Sequence, residues 1–115
     1  MRQTGAFYEQ EAARYLKEQG LTILERNYRC RFGEIDIIAT DGYYLIFVEV
    51  KYRSSPLSGS SLSAVNLAKQ RNISRVAGYY LTVNRHRIDL PCRFDVIGFD
   101  KEEIRWIRNA FDYRG

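Results

Sequence analysis

Cysteine and histidine are scarce in this chain of 115 residues, which contains two cysteines and one histidine. Cys30 and Cys92 lie far apart, without CxxC spacing and without neighbouring histidines. A disulfide framework and a zinc cluster are therefore excluded as the means of holding the fold together. Two isolated cysteines are typical of a protein from a reducing compartment, so we expect a cytoplasmic location.

Long apolar runs are also missing. No run approaches the roughly 20 residues that a membrane-spanning helix needs, and the N-terminus lacks the basic-then-apolar order of a secretion signal. We therefore expect a soluble protein without a membrane partner. A composition of 45% hydrophobic and 28% charged residues is typical of a compact globular chain, and we expect residues 1–115 to form a single domain.

Positive charge is in moderate excess, because 18 Lys and Arg residues face 14 Asp and Glu residues. The net charge of +4 favours a polyanionic partner, although many basic proteins of this size have none. The single histidine, His86, lies in a basic stretch and is interpreted as a solvated loop residue. No glycine-rich loop followed by Lys-Ser or Lys-Thr occurs, which excludes that class of nucleotide site.

The hydrophobic periodicity predicts the element order αβββαββ. The predicted helices cover 5–19 and 62–81, and the predicted strands cover 21–29, 33–40, 43–50, 92–99 and 103–108. The third strand is apolar on both faces, so it should be central in the sheet and covered on both sides. Residues 52–61 include five serines and are expected to form an irregular connection.

The dipeptide Asp41-Gly42 predicts a tight hairpin between the second and third strands. If these two residues are the whole loop, Thr40 faces Tyr43 and Glu34 faces Glu49. A loop longer by two residues would keep the same side chains on one face with a shifted partner. An odd change in length would instead distribute them over both faces.

Under this register, four charged groups share one face of the hairpin: Glu34, Asp36, Glu49 and Lys51. Neighbouring carboxylates in a covered apolar strand are unfavourable, because repulsion and desolvation both penalise their ionised forms. A divalent cation between them would remove this penalty. Oxygen ligands without histidine or thiolate favour Mg²⁺ or Mn²⁺. The alternative is a salt bridge from Lys51 to Glu34 or Glu49 without a catalytic role.

Two further features have both a structural and a functional interpretation. Glu9 is either a solvated residue near the positive end of the first helix or a member of the site. Aromatic residues make up 14% of the chain. Most of them follow helix or strand periodicity, so we interpret them as core residues rather than as a platform for stacking nucleobases.

Two segments carry a resemblance to a known family: 33–36, Gly-Glu-Ile-Asp, and 47–53, Phe-Val-Glu-Val-Lys-Tyr-Arg. They resemble the YraN family, and the similarity extends over nearly the whole chain. That family is in turn similar to the archaeal Holliday junction resolvases and to the PD-(D/E)xK nucleases. The resemblance implies an α/β fold with a restriction-endonuclease-like αβββαβ core, in which helices flank a mixed central sheet.

The resemblance also assigns roles residue by residue. It implies that Asp36 and Glu49 bind Mg²⁺ or Mn²⁺ and that Lys51 is the catalytic lysine. Glu9 would either complete the metal shell through water or bind a second ion. Ile35 stands where the wider motif has proline, which does not change a ligand. Fold analogy alone suggests that Gln70 contacts the site.

The expected function is therefore that of a metal-dependent endonuclease acting on branched or structured DNA. Candidate phosphate contacts are Arg53, Lys69, Arg71 and Arg75. The similarity to resolvases implies a homodimer. The main alternative is a nucleic-acid-binding module with the same fold and no cleavage activity, and a third is a structural or adaptor domain.

Overall fold

The computed structural model describes residues 5–53, 65–84, 89–100 and 103–114. Two helices and five strands follow one another in the predicted order αβββαββ. They are α1 (Gly5–Glu18), β1 (Thr22–Cys30), β2 (Gly33–Thr40), β3 (Leu45–Arg53), α2 (Leu67–Val83), β4 (Cys92–Asp100) and β5 (Glu103–Phe111). No helix in these described ranges is long and apolar enough to cross a membrane.

The five strands form one mixed sheet in the order β1-β2-β3-β4-β5. All neighbouring pairs are antiparallel except β3 and β4, which are parallel. A parallel pair requires a crossover connection, and α2 lies in the segment between these two strands. The predicted α/β class is confirmed, and the arrangement is compatible with a restriction-endonuclease-like core.

The core consists of two apolar layers, one on each side of the sheet. Leu45 and Phe47 of β3 belong to the layer that packs against α2. Ile46 and Val48 belong to the layer that packs against α1. Alternating residues of β3 are thus buried on opposite faces, which confirms that this strand is central and covered twice.

The predicted two-residue hairpin loop is wrong. Thr40 pairs with Leu45, so the loop comprises the four residues 41–44. The Asp41 carboxylate accepts hydrogen bonds from the backbone N–H groups of the third and fourth loop residues, at 2.9 and 2.8 Å. These side-chain bonds to the backbone stabilise a wider turn than Asp-Gly alone would form.

The wider turn shifts the register by two residues and preserves the predicted shared face. The predicted facing of Glu34 and Glu49 is therefore also wrong. Pairing between β2 and β3 ends at Ile37 and Val48. One step further along the same register, Asp36 lies opposite Glu49, so the two carboxylates are closer partners than the sequence predicted.

The second helix begins later than predicted. α2 starts at Leu67 because the side chain of Asn66 caps it, accepting a hydrogen bond of 2.9 Å from the backbone N–H of Lys69. Residues 62–64 of the predicted helix and residues 54–61 of the predicted irregular connection lie outside the described residues. At the other ends, β3 runs three residues beyond the prediction and β5 likewise.

Candidate active site

The site lies where two strands of the sheet separate. Pairing of β2 with β3 stops at Ile37 and Val48, whereas β3 stays paired with β4 as far as Arg53. Within the described ranges, one edge of the last part of β3 thus has no paired strand. Asp36 reaches into this gap, and its Oδ2 atom accepts a hydrogen bond of 2.8 Å from the backbone N–H of Val50. The carboxylate substitutes there for a missing backbone partner.

A pocket of about 130 Å³ opens at this gap. The structure brings four of the predicted site residues to its walls: Glu9, Asp36, Glu49 and Lys51. It adds residues that were not predicted as parts of the catalytic site: Tyr8, Tyr52 and Lys69. The start of α1, the open edge of β3 and the start of α2 therefore all contribute to one pocket.

Asp36 and Glu49 are both buried, with exposed fractions of 9% and 4%. Burial raises the pKa of Asp36 from 3.8 to about 9, and a hydrogen bond shared with Glu49 and repulsion from its charge act in the same direction. The bond from Val50 opposes this shift only partly. Without a metal ion, the carboxylate pair therefore holds a proton at neutral pH.

Two ammonium groups approach Glu49. The Nζ atoms of Lys51 and Lys69 lie 3.5 and 3.2 Å from Glu49 Oε2, which is ion-pair distance. Among the buried side-chain nitrogen and oxygen atoms that the structure describes, this oxygen is nevertheless the one without a hydrogen-bond partner. The ammonium groups supply charge but not hydrogen-bond geometry. Glu49 Oε2 therefore keeps acceptor capacity that a cation can use.

Lys69 occupies a place in the site that the sequence did not indicate. Burial lowers the pKa of Lys69, but attraction to Glu49 and to the carboxylates near it outweighs this effect, and the pKa is raised overall. Lys69 was predicted as a phosphate contact on the surface. Its place follows from the start of α2 at Leu67, directly after the cap Asn66, which the predicted helix start at residue 62 did not show.

Glu9 lies on the α1 side of the pocket. Its pKa is raised, first by burial and then by the charge of Glu34, while Arg26 and a hydrogen bond from the Asn27 side chain act against the shift. Within the described ranges, no group of three His, Cys, Asp or Glu side chains is arranged to hold a metal ion. A role for Glu9 in a metal shell stays a prediction.

The donor set fits a magnesium-type ion. Mg²⁺ commonly uses one or two protein carboxylates and completes its octahedron with water and substrate phosphate. Asp36 and Glu49 supply such a pair, and the Oε2 atom of Glu49, which has ion-pair contacts but no well-directed hydrogen bond within the described residues, is a buried acceptor of the required kind. A divalent ion at this position would take the place of the shared proton.

The remaining charged candidates lie away from the pocket or outside the described side chains. Glu34 accepts from Arg29 Nε at 3.0 Å and does not line the pocket. Of the two ion pairs considered for Lys51, the structure contains the one with Glu49. Arg71 and Arg75 are exposed on α2, and their contacts with DNA stay a prediction. The side chain of Arg53 and all of His86 lie outside the description.

Gln70, suggested by analogy, does not line the pocket. Its amide nitrogen donates to the carbonyl of Val65 at 3.1 Å, and its oxygen accepts from Arg114 Nε at 2.7 Å. Gln70 therefore connects the start of α2 with the C-terminal segment. The helix presents the neighbouring Lys69 to the pocket instead.

Comparison with known proteins identifies the family. Residues 8–99 match the model of "Uncharacterised protein family UPF0102". A UPF0102 protein of Lachnoclostridium phytofermentans is 57% identical over 111 residues, covering 96% of this chain and 94% of that protein. A relative from Nitrosomonas europaea is 49% identical over 111 residues, covering 94% and 92%, and one from Shewanella pealeana is 47% identical over 107 residues, covering 93% and 94%. The resemblance to the YraN family is thereby confirmed, and the chain belongs to the UPF0102 family.

Proposed function

We propose that this protein is a metal-dependent endonuclease that acts on branched or structured DNA. One observation carries the proposal: two buried carboxylates, Asp36 and Glu49, meet in a pocket, and Glu49 Oε2 is ion paired with Lys51 and Lys69 but receives no well-directed hydrogen bond from the described part of the chain. In a purely structural ion pair, we expect the buried carboxylate oxygens to accept well-directed hydrogen bonds. A buried acceptor without such a bond destabilises the fold.

Asp36 and Glu49 are the residues that would hold Mg²⁺ or Mn²⁺. When bound, the ion supplies a Lewis acid that activates water and neutralises charge on the phosphate. The backbone N–H of Val50 fixes the orientation of the Asp36 carboxylate. The central position of β3 fixes Glu49, so neither ligand has to be ordered when the substrate arrives.

Lys51 follows Glu49 by two residues on the same face of β3 and lies beside the same pocket. Its ammonium group is placed to orient the attacking water or to stabilise the negative charge that develops on the phosphate. Lys69 approaches from α2 and shares the Glu49 oxygen. A cation on that oxygen would release the Lys69 ammonium group toward the substrate phosphate.

The choice of branched DNA rests on the similarity to resolvases and on the net charge of +4. A nucleic-acid-binding module without cleavage is the second candidate. It is favoured by the fact that Lys51 and Lys69 already provide positive charge next to Glu49 without a metal ion. Activity measurements separate the two candidates.

The decisive assay incubates the full chain with Mg²⁺ or Mn²⁺ and a panel of four-way, flap, fork and linear DNAs. We expect nicking of branched substrates by the parent protein and none by Glu49→Gln. Glu18→Gln is the matched control, because Glu18 is exposed, pairs with Arg14 at 2.9 Å and lies outside the pocket. It should cleave like the parent.

Two results would contradict the proposal. Absence of cleavage on every substrate with both metals, together with tight DNA binding, would favour the binding module. Cleavage that persists in Glu49→Gln at the parental rate would show that the chemistry takes place elsewhere or belongs to a contaminating nuclease.

A further inference from the structure

Two tyrosine rings form a stack beside the pocket. The rings of Tyr8 and Tyr52 lie 4.3 Å apart between centroids, with an interplanar angle of 14°. Tyr8 also packs against the buried Phe99, at 5.1 Å between centroids. Tyr8 thus covers one face of the Tyr52 ring, and Tyr8 itself packs against the core.

Tyr52 is also partly accessible to solvent. Tyr52 is 44% exposed although one face of its ring is covered, so the exposed part lies away from Tyr8. Phe47 and Phe94 are buried core residues, as the periodicity predicted, but seven of the sixteen aromatic side chains are exposed, and Tyr52 is one of them. Tyr52 differs because it follows the end of the apolar run of β3 and lines a charged pocket.

The stack and the cationic groups lie on two sides of the same strand edge. Lys51 and Tyr52 are consecutive in β3, so their side chains point to opposite faces. Both nevertheless border the pocket, because no described strand pairs with β3 on this edge beyond Val48. Because Lys51, Tyr52 and Lys69 line one pocket, a nucleotide whose phosphate binds near the two ammonium groups would direct its base along the same wall as Tyr52. Stacking on tyrosine is available to any base, since every base has a π-face.

We infer that the Tyr8–Tyr52 stack is a base-stacking wall that receives an unpaired nucleobase next to the phosphate held in the pocket. This inference rests on the proposed function and narrows its substrate class. In a fully paired duplex both faces of each base are occupied by neighbouring bases. Forks, flaps and single-stranded segments offer unstacked bases, so these substrates should bind better than linear duplex or a fully paired four-way junction.

The test uses oligonucleotides that carry 2-aminopurine, a base whose fluorescence falls when it stacks on an aromatic ring. Binding is measured with the Lys51→Ala protein and Mg²⁺, so that the DNA stays intact. We expect quenching at one position of a single strand or flap, and little quenching in duplex. Tyr52→Leu should abolish the quenching and weaken single-strand binding by roughly 5- to 100-fold, the range that loss of one stacked base produces.

Two further variants make the result specific to the ring of Tyr52. Tyr52→Phe keeps the ring and should behave like the parent. Tyr43→Leu removes an aromatic side chain that is 77% exposed in the loop at the opposite end of β3, and it should change neither signal. A thermal unfolding curve confirms that each variant is folded. If Tyr52→Leu does not fold, the inference is tested by the Lys51→Ala protein alone, in which Tyr52 is intact. This protein should quench 2-aminopurine at one position of the strand and not at others.

Equal single-strand affinity of Tyr52→Leu and the parent, or no position-dependent quenching, would overturn the inference. Loss of affinity in Tyr52→Phe as well would assign the effect to the hydroxyl group and also overturn it. Cleavage with Mg²⁺ but no quenching would leave the proposed function standing and remove the stacking wall. Quenching without cleavage of any substrate would retain the wall and remove the nuclease proposal.

Discussion

The carboxyl groups of Asp36 and Glu49 lie close together in a buried site. Burial, a hydrogen bond shared with Glu49 and repulsion from the charge of Glu49 raise the pKa of Asp36 from 3.8 to about 9, so Asp36 keeps its proton above neutral pH. Such an arrangement is unfavourable for folding by itself. A pair of this kind is typical of sites where a function requires it, and a divalent cation is the ligand that relieves it.

This pair makes the metal-free protein sensitive to alkaline pH. The pKa of Asp36 is raised from 3.8 in the unfolded chain to about 9 in the fold, so between these values the folded state holds a proton that the unfolded state has lost. The stability that this group contributes is complete below about pH 4 and is lost as the pH rises toward 9.

We therefore expect the free energy of unfolding in a chelator to fall between about pH 5.5 and pH 8.5, by at most about 1.4 kcal/mol per pH unit for one proton. Urea unfolding at several pH values measures it. Asp36→Asn cannot titrate at this position and should show a flatter profile. Parallel profiles for parent and variant would mean that Asp36 titrates normally.

Substitution of Lys51 distinguishes a catalytic role of this residue from a structural ion pair. If its ammonium group acts on charge that develops in the transition state, Lys51→Ala should lower kcat by on the order of 100-fold or more. Metal binding and most DNA affinity should remain. Single-turnover cleavage with purified variant measures the effect. A variant that only melts at a lower temperature, with an unchanged rate per folded molecule, would assign Lys51 a structural role.

The sequence pattern identified those site residues that are charged although the strand around them is apolar. Asp36 and Glu49 were recognisable because carboxylates interrupt strands that are otherwise apolar, and Lys51 because it shares a face with Glu49. Lys69 was predicted to contact phosphate, and Tyr52 was assigned to the irregular connection after the third strand. Their places depend on where α2 packs and where β2 separates from β3, and neither is encoded in local periodicity.

At the scale of elements, β2 was predicted with its observed ends, Gly33 and Thr40, because a glycine and a turn dipeptide bound its apolar run. The following loop was predicted at the right place but with the wrong length. A two-residue turn competes with a longer loop in which the Asp41 side chain accepts backbone hydrogen bonds. The two loops differ little in free energy, so the dipeptide alone does not indicate which one forms. The carboxylates still share one face of the hairpin, because the error in the predicted loop length was an even number of residues.

The edge strand β5 is fastened to β4 by Asp95, which is fully buried. Its carboxylate accepts from Trp106 Nε1 at 2.8 Å, from the backbone N–H of Asn109 at 2.9 Å and from Arg93 Nε at 3.0 Å. Asn109 has a positive φ of 53°, and the register between these two strands shifts near Asp95. The carboxylate thus holds an irregular part of the sheet together.

Asp95→Ala should destabilise the protein by roughly 3 to 5 kcal/mol, because it leaves the buried partners of a charged group unsatisfied. Urea denaturation measures this loss. Cleavage per folded molecule should stay unchanged, since Asp95 does not line the pocket. Glu103→Ala removes an exposed partner of Arg105 and is the control, with a much smaller expected effect. A loss of stability no larger than that of the control would contradict the fastening role.

At the scale of the whole molecule, the net charge of +4 and the exposed arginines of α2 predict DNA binding dominated by phosphate contacts. Affinity should fall steeply with salt and depend little on base sequence. Arg71→Ala and Arg75→Ala should each reduce the slope of log affinity against log salt by about 0.9 on duplex DNA. Fluorescence anisotropy at a series of salt concentrations measures this slope.

Arg105→Ala is the matched control for the salt series, because Arg105 lies on β5, on the edge of the sheet, and is already paired with Glu103. Its slope should equal that of the parent. A flat dependence of affinity on salt in the parent protein would contradict electrostatic binding and favour the adaptor interpretation.

The most direct test of a cation site at Asp36 and Glu49 is calorimetric titration of the full chain with Mn²⁺. The parent should bind the ion, with an affinity that rises with pH because the ion displaces a proton. The double variant Asp36→Asn with Glu49→Gln should not bind it, whereas Glu18→Gln should bind as the parent does. Equal affinity in the parent and the double variant would place the metal elsewhere and contradict the proposed mechanism.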